Sequence, residues 1–208
     1  MSKDLVIVFV KNIILGKVKT RLAKTIGNQG AFEVYKALVE ITEKATAQVN
    51  ADKHIYFSDV IIEDKWKGFE KFVQEGKDLG ARMKNAFAKG FKDGYERIVL
   101  IGSDLPDIAA THIENGLKTL NTSDTVFGPA VDGGYYLVGQ TQIHDCVFDD
   151  MPWSEDNLLE ITLQKLSASG ISFNKLKTLN DIDTFEDLEA SNFYKSNAEL
   201  QEKIKLLR

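Results

Sequence analysis

Apolar residues fall along this chain in two rhythms. Residues 5–10 read Leu-Val-Ile-Val-Phe-Val, and residues 97–101 read Arg-Ile-Val-Leu-Ile. Unbroken apolar runs of branched residues predict strands covered on both faces, because no alternating polar face is left for water. Between 29 and 49 the apolar positions Phe32, Tyr35, Leu38, Val39, Ala45 and Val49 recur every three or four residues, which predicts a helix with Asn28 as its N-cap. The same spacing predicts helices over 78–91, 108–120 and 155–167. Shorter apolar stretches predict strands over 54–57, 125–127, 135–138 and 171–176. Thr184 with Asp187 three residues on forms a variant capping box that opens a helix, or a helix pair, running to the C-terminus. Residues 58–76 show no clear rhythm. Alternating strands and helices predict an α/β fold: a three-layer α/β/α sandwich on a mostly parallel Rossmann-like sheet, with an antiparallel strand supplied by 125–138. No Pro/Gly/Ser-rich linker, repeat or low-complexity tract interrupts the sequence, so the expectation is one domain over residues 1–208.

Composition narrows the class. A chain of 208 residues buries roughly 70% of its unfolded surface and needs no covalent staples. Its one cysteine, Cys146, excludes an internal disulfide framework and argues against a cysteine-based zinc site. The net charge of −5 argues against a general nucleic-acid binder. No apolar run reaches 18 residues, and the N-terminal run is too short for a signal peptide. The expectation is a cytoplasmic protein with small-molecule partners, without nucleic acid or membrane, and with room for a homodimer.

Charge is unevenly spread. Residues 1–27 hold Lys3, Lys11, Lys17, Lys19, Arg21 and Lys24 against Asp4 alone, whereas 145–189 are strongly acidic. Such segments either attract each other on a solvated surface or form a phosphate pocket beside a metal pocket.

Four segments carry candidate chemistry, three of them where open α/β sheets bind ligands, at the carboxyl ends of strands. Gly16-Lys17-Val18-Lys19-Thr20-Arg21 sets a permissive backbone beside three cations, which suits phosphate oxygens. It lacks the Walker spacing, and no Gly-x-Gly pair exists for a dinucleotide fingerprint. Gly102-Ser103-Asp104-Leu105-Pro106 puts a carboxylate directly after a buried strand, where an unpaired acid belongs in the ligand crevice rather than the core. Asp132-Gly133-Gly134 is a turn, and the adjacent Tyr135 and Tyr136 face opposite sides of the following strand, leaving one free to stack on a sugar or base. Asp181 and Asp183 share a face if extended. Asp104 with Asp183 would make a Mg²⁺ pair if their strand ends converge; otherwise both acids precede a helix whose dipole favours them. Met151-Pro152-Trp153-Ser154 forms either core or a pocket wall. His54, His112 and His144 suggest no nucleophile–base arrangement.

The succession of these motifs, including Gly128-Pro129-Ala130-Val131-Asp132-Gly133-Gly134-Tyr135-Tyr136-Leu137 and Asp181-Ile182-Asp183-Thr184, resembles the DUF2064 family over essentially the whole chain. These are glycosyltransferases assigned by likeness, within the nucleotide-diphospho-sugar transferase (GT-A, SpsA-like) superfamily. Several of the motifs are shared with 2-phospholactate guanylyltransferase. The resemblance implies that Lys19 and Arg21, with Gly16, Lys17, Thr20 and Ser103, bind phosphates. It implies that Asp104 and Asp183 hold Mg²⁺ or Mn²⁺, and that Asp132, Gly133, Gly134, Tyr135, Trp153 and Ser154 face the sugar or acceptor. Asp104, Asp132, Lys19 and Arg21 would be catalytic. Two departures stand out: Asn12-Ile13-Ile14-Leu15 replaces the usual proline before Gly16, and Glu155 stands where the family tends to have threonine.

Three functions follow. The first is a metal-dependent glycosyltransferase with a nucleotide-sugar donor and an unknown acceptor. The second is a nucleotidyltransferase joining a nucleoside triphosphate to a phosphorylated metabolite, with pyrophosphate release. The third is a non-catalytic nucleotide-binding protein.

Overall fold

In the computed structural model, which describes residues 3–207, the apolar run at the N-terminus becomes β1 (Asp4–Val10), an interior strand of the sheet. It pairs in parallel with β2 (Asp52–Phe57) on one side and β4 (Arg97–Ile101) on the other. Its side chains alternate between two cores. Val6, Val8 and Val10 meet one helical layer; Leu5 and Ile7 meet the other. This double burial is why the sequence has no polar alternation there.

The first layer holds α1 (Thr20–Ala47) and α3 (Ala110–Thr119), through Tyr35, Val39, Ile113 and Leu117. The second holds α2 (Leu79–Lys92) and α4 (Leu158–Ala168), through Met83, Phe87 and Leu166. With β3 (Glu70–Val73), β5 (Thr125–Pro129), β6 (Tyr135–Gln140) and β7 (Phe173–Lys175), the seven-stranded order is β3-β2-β1-β4-β6-β5-β7. Strand β6 runs antiparallel to both β4 and β5, and the other pairs are parallel. The α/β/α sandwich with an antiparallel strand is therefore present, and β3 lies inside the stretch that showed no rhythm. Three short helices, α5 (Phe185–Ala190), α6 (Asn192–Lys195) and α7 (Ala198–Leu207), follow. Leu188, Leu200 and Ile204 form a third apolar cluster with Leu22, Ile26, Val34 and Leu38 of α1. No described helix is long and apolar enough to cross a membrane.

Helix α1 departs from expectation. It begins at Thr20, nine residues before the periodic stretch, and breaks at Gly27 (φ 74°, ψ 163°). That conformation is open to glycine, so a short helical segment joins the periodic one at a kink. At two later helices the cap is a side-chain hydrogen bond. Asp78 accepts from the Ala81 amide at 2.8 Å, and Thr184 and Asp187 cap each other reciprocally.

Candidate active site

Four loops meet beyond the carboxyl ends of β1, β4 and β5. The first, residues 11–19, is stapled rather than stiffened by proline. The buried Asn12 donates from Nδ2 to the Val60 carbonyl (2.7 Å), and its Oδ1 accepts from the Asp59 amide (2.8 Å) and the Ser58 hydroxyl (3.2 Å). Its own amide donates to Ser58 Oγ (2.9 Å), so the loop is welded to the segment after β2. Gly16 (φ 78°) makes the turn, closed by Lys17 N–H donating to the Ile14 carbonyl (3.0 Å).

The loop delivers Lys19 in the left-handed region (φ 46°), an uncommon state for a side-chain-bearing residue and one that clusters at functional sites. The side chain of Lys19 is only 7% exposed, and its Nζ lies 3.0 Å from Asp104 Oδ2. Arg21, one helical step on and largely exposed, places Nη1 2.9 Å from Asp183 Oδ2. Both expected cations thus pair with both expected metal-binding carboxylates. Lys17 on this loop and Thr20 at the start of α1 are exposed.

Asp104 folds back over Gly102, where an added Cβ would sit 3.1 Å from Oδ1. Ser103 does not face the crevice: its buried Oγ hydrogen-bonds the Tyr35 hydroxyl at 2.9 Å, and that hydroxyl accepts from the Lys11 amide at 3.0 Å. Burial pushes the Tyr35 phenol up to about 12. Ser103 thereby ties the β4 loop to the β1 loop, which is the physical reason it departs from the expected phosphate contact.

The strap 176–183 completes the site. Leu179 bridges in parallel to Ala130 and donates to the Pro129 carbonyl (3.1 Å), while Ile182 N–H donates to the Asp104 carbonyl (3.4 Å). Asp181 is pushed up to about 6, first by burial and then by Asp104 and Asp132, with Lys19 opposing. Asp181 therefore shares its surroundings with Asp104, Asp132 and Lys19, while Asp183 is held by Arg21. Asp132 is exposed and accepts the Gly134 amide at 2.9 Å, closing the hairpin turn. Gly133 (φ 89°) leaves no room for a Cβ against the Asp156 carbonyl.

Among the described residues no cluster of three or more His, Cys, Asp or Glu could hold a metal ion. The donor set still suits a hard divalent ion that takes one or two carboxylates plus phosphate oxygens. Burial, with a smaller contribution from the neighbouring Asp104 and Asp132 and with Lys19 opposing, raises the proton affinity of Asp181.

The tyrosines separate as expected: Tyr136 donates to the Lys177 carbonyl at 3.0 Å, and Tyr135 sits edge-on to Phe127 on the opposite face. Trp153 packs on Gly80 of α2, and the adjacent Ser154 is exposed with φ 71°. Asn12 and Tyr35 are site-organising residues that sequence reasoning missed. A polar Asn directly before the apolar Ile13-Ile14-Leu15 was the signal for the first; the helical periodicity hid the second as ordinary core.

The pattern defining the family described as uncharacterized proteins conserved in bacteria, DUF2064, matches residues 39–155, more than half of the chain. No curated protein matches. A Desulfovibrio desulfuricans G20 protein, provisionally described as a nucleotide-diphospho-sugar transferase, is 34% identical over 98% of this chain and 99% of its own, with a TM-score of 0.87. CMP:2-keto-3-deoxy-manno-octonic acid synthetase, crystallised with CTP, shares the fold at 13% identity over 97% of this chain and 100% of its own, with a TM-score of 0.60. A Mycobacterium tuberculosis H37Rv protein in complex with manganese shares it at 14% identity over 91% of this chain and 97% of its own, with a TM-score of 0.53. With the fold, the motif order and the family pattern in agreement, the chain belongs to the DUF2064 family.

Proposed function

We propose that the protein transfers a glycosyl group from a nucleotide-sugar to an acceptor hydroxyl, with a divalent ion as cofactor. The observation that carries this reading is the interleaving of Lys19 with Asp104 and Arg21 with Asp183 at the strand ends. Each pair is ready to exchange partners: a donor diphosphate takes over Lys19 and Arg21, which releases both carboxylates. Lys17, Thr20 and the turn at Gly16 line the approach to the same phosphates. A Mg²⁺ or Mn²⁺ ion held by Asp104 with Asp183 or Asp181 would supply Lewis-acid stabilisation of the leaving phosphate. The likeness to the D. desulfuricans protein supports the donor class, and the manganese complex among the fold relatives supports the ion.

In the transfer, the acceptor oxygen bonds to the anomeric carbon as the bond to the diphosphate breaks. The electron pair leaves with the nucleoside diphosphate, and Asp132 takes the hydroxyl proton. Lys19 and Arg21 meet the charge that builds on the leaving group. A nucleoside has space in the cavity of about 370 Å³ beyond β1 and β2, walled by Val10, Asn12, Phe32, Phe57 and Trp66.

Calorimetry with nucleotide-sugars and Mn²⁺ tests this. Asp104→Ala is expected to abolish the metal-dependent part of binding; unchanged binding sinks the metal role. The fold shared with the CTP-bound synthetase favours a second reading, in which an acceptor phosphate attacks the α-phosphorus of a triphosphate and pyrophosphate leaves. Pyrophosphate release from a triphosphate panel selects it. Nucleotide binding without turnover in either panel would leave a non-catalytic nucleotide-binding protein.

A further inference from the structure

Two loops bring the first charge pair of the site together: the β1 loop, residues 11–19, carries Lys19, and the β4 loop carries Asp104. Their strands are neighbours, with β1 paired in parallel to β4. Each loop has an anchor of its own. Asn12 fastens the first to the segment after β2, and the Asp104 carbonyl of the second accepts from Ile182 N–H on the strap. Among the described residues, hydrogen bonds join the two loops by two routes only. One is the Lys19–Asp104 ion pair at 3.0 Å. The other is the Tyr35 hydroxyl of α1, which accepts from the Lys11 amide at 3.0 Å and hydrogen-bonds Ser103 Oγ at 2.9 Å.

Ligand binding treats the two routes differently. In the transferase reading a donor diphosphate takes over Lys19, so the ion pair opens as substrate arrives. The Tyr35 link has no such exit: Tyr35 is 3% exposed and Ser103 4%, so neither residue faces the crevice. Burial pushes the phenol up to about 12, which keeps it a neutral hydroxyl through the ordinary pH range. The ring belongs to the apolar core under α1, a place that phenylalanine would fill equally well. What the hydroxyl adds is a join between chain segments 68 residues apart. A buried hydroxyl offsets its desolvation only through partners of this kind.

We propose that Tyr35 is a positioning residue that couples the ion to the nucleotide: its hydroxyl keeps the β1 loop and the β4 loop in register after Lys19 has let go of Asp104. The assignment rests on the transferase reading for what each loop holds, phosphate on the first and the ion on the second. Tyr35 touches neither ligand. It acts through Lys11 on one side and through Ser103, the neighbour of Asp104, on the other.

The test is calorimetry on the intact protein with Mn²⁺ alone, with a nucleoside diphosphate alone (ADP, CDP, GDP or UDP, whichever binds the wild type), and with both. The ratio of Mn²⁺ affinities with and without nucleotide measures the coupling. Tyr35→Phe removes the hydroxyl and keeps the ring. It is expected to bind each ligand alone as the wild type does, because each loop keeps its own anchor, and to lose about tenfold of the coupling. Ser103→Ala cuts the same link from the other side and is expected to give the same loss. The double variant is then no worse than either single one, since both act through one bond. Should Tyr35→Phe fail to fold, Ser103→Ala carries the test. A lowered Tm with wild-type coupling in the variants shows a merely structural hydroxyl and overturns the assignment, as do losses that add in the double variant. A wild type that binds neither nucleotide nor Mn²⁺ removes the transferase reading, and the coupling with it; a wild type that binds both, with coupling indifferent to Tyr35→Phe and Ser103→Ala, removes the role of Tyr35 alone.

Discussion

Lys19 is held in a left-handed backbone and nearly buried against Asp104, so its charge is fixed before any substrate arrives. Preorganised charge of this kind contributes to turnover rather than to substrate affinity alone. Lys19→Ala is expected to lower kcat by 10²–10³, roughly 3–4 kcal/mol of lost transition-state stabilisation, measured in a steady-state transfer assay. Arg21 is largely exposed, so its pair with Asp183 is screened by solvent and contributes little to stability. Asp181 has the opposite character. Its carboxyl ordinarily ionises near 3.8 but is pushed up to about 6 by burial and by Asp104 and Asp132. Between those values the folded chain keeps a proton that the unfolded chain has lost; above about 6 the folded chain carries a disfavoured charge. Stability is therefore lost as pH rises through that window. Asp181→Asn is expected to raise the Tm of the metal-free protein by a few degrees at pH 7.5, with the two curves converging as pH falls toward 4. Mn²⁺ should then stabilise the wild type more than the variant in a thermal melt.

At the scale of elements, glycines set where loops meet helices. Gly133 turns the β5–β6 hairpin against the segment before α4: its carbonyl accepts from the Leu159 amide at 3.0 Å, and an added Cβ would lie 1.7 Å from the Asp156 carbonyl. Gly133→Ala must push the hairpin off α4 while also carrying a strained positive φ. It is expected to cost about 2–3 kcal/mol in denaturant unfolding and to weaken turnover by displacing Asp132. The kink at Gly27 serves the other side of the site. It lets a short helical segment present Lys19 and Arg21 to the strand ends, while the longer segment after it covers the sheet.

For the whole molecule, pH acts through buried imidazoles. His54 is 2% exposed in β2, with Nδ1 unpaired and Nε2 3.8 Å from Glu70 Oε2. Burial lowers its proton affinity below the usual 6.5, with Glu70 opposing, and burial lowers His144 likewise. Above 6.5 both states are neutral and the stability is fully present. Below it the unfolded chain takes up protons that the folded chain refuses, so stability falls with pH. This contribution runs against that of Asp181 below about pH 6, so it is read as a difference: between pH 7.5 and 5 the wild type is expected to lose more Tm than His54→Phe. Equal slopes would remove His54 as a source.

What could be read from the residues alone was whatever is decided within a few positions. The strands at β1 and β4, the capping box at Thr184 and the opposed tyrosines follow from side-chain period and local hydrogen bonding, and each agrees with the structure. The family motifs likewise named the loops that assemble. The sequence could not say which carboxylate meets which cation, because Lys19 finds Asp104 across 85 positions and Arg21 finds Asp183 across 162. Asn12 replaces a rigid proline by bonding to a loop 46 residues away, and Ser103 turns from the crevice to Tyr35. The early start of α1 is of the same kind. Backbone period is a local property; the partner of a charge or a buried hydroxyl is set by which chain ends the sheet order brings together, and that exists only once the tertiary structure has formed.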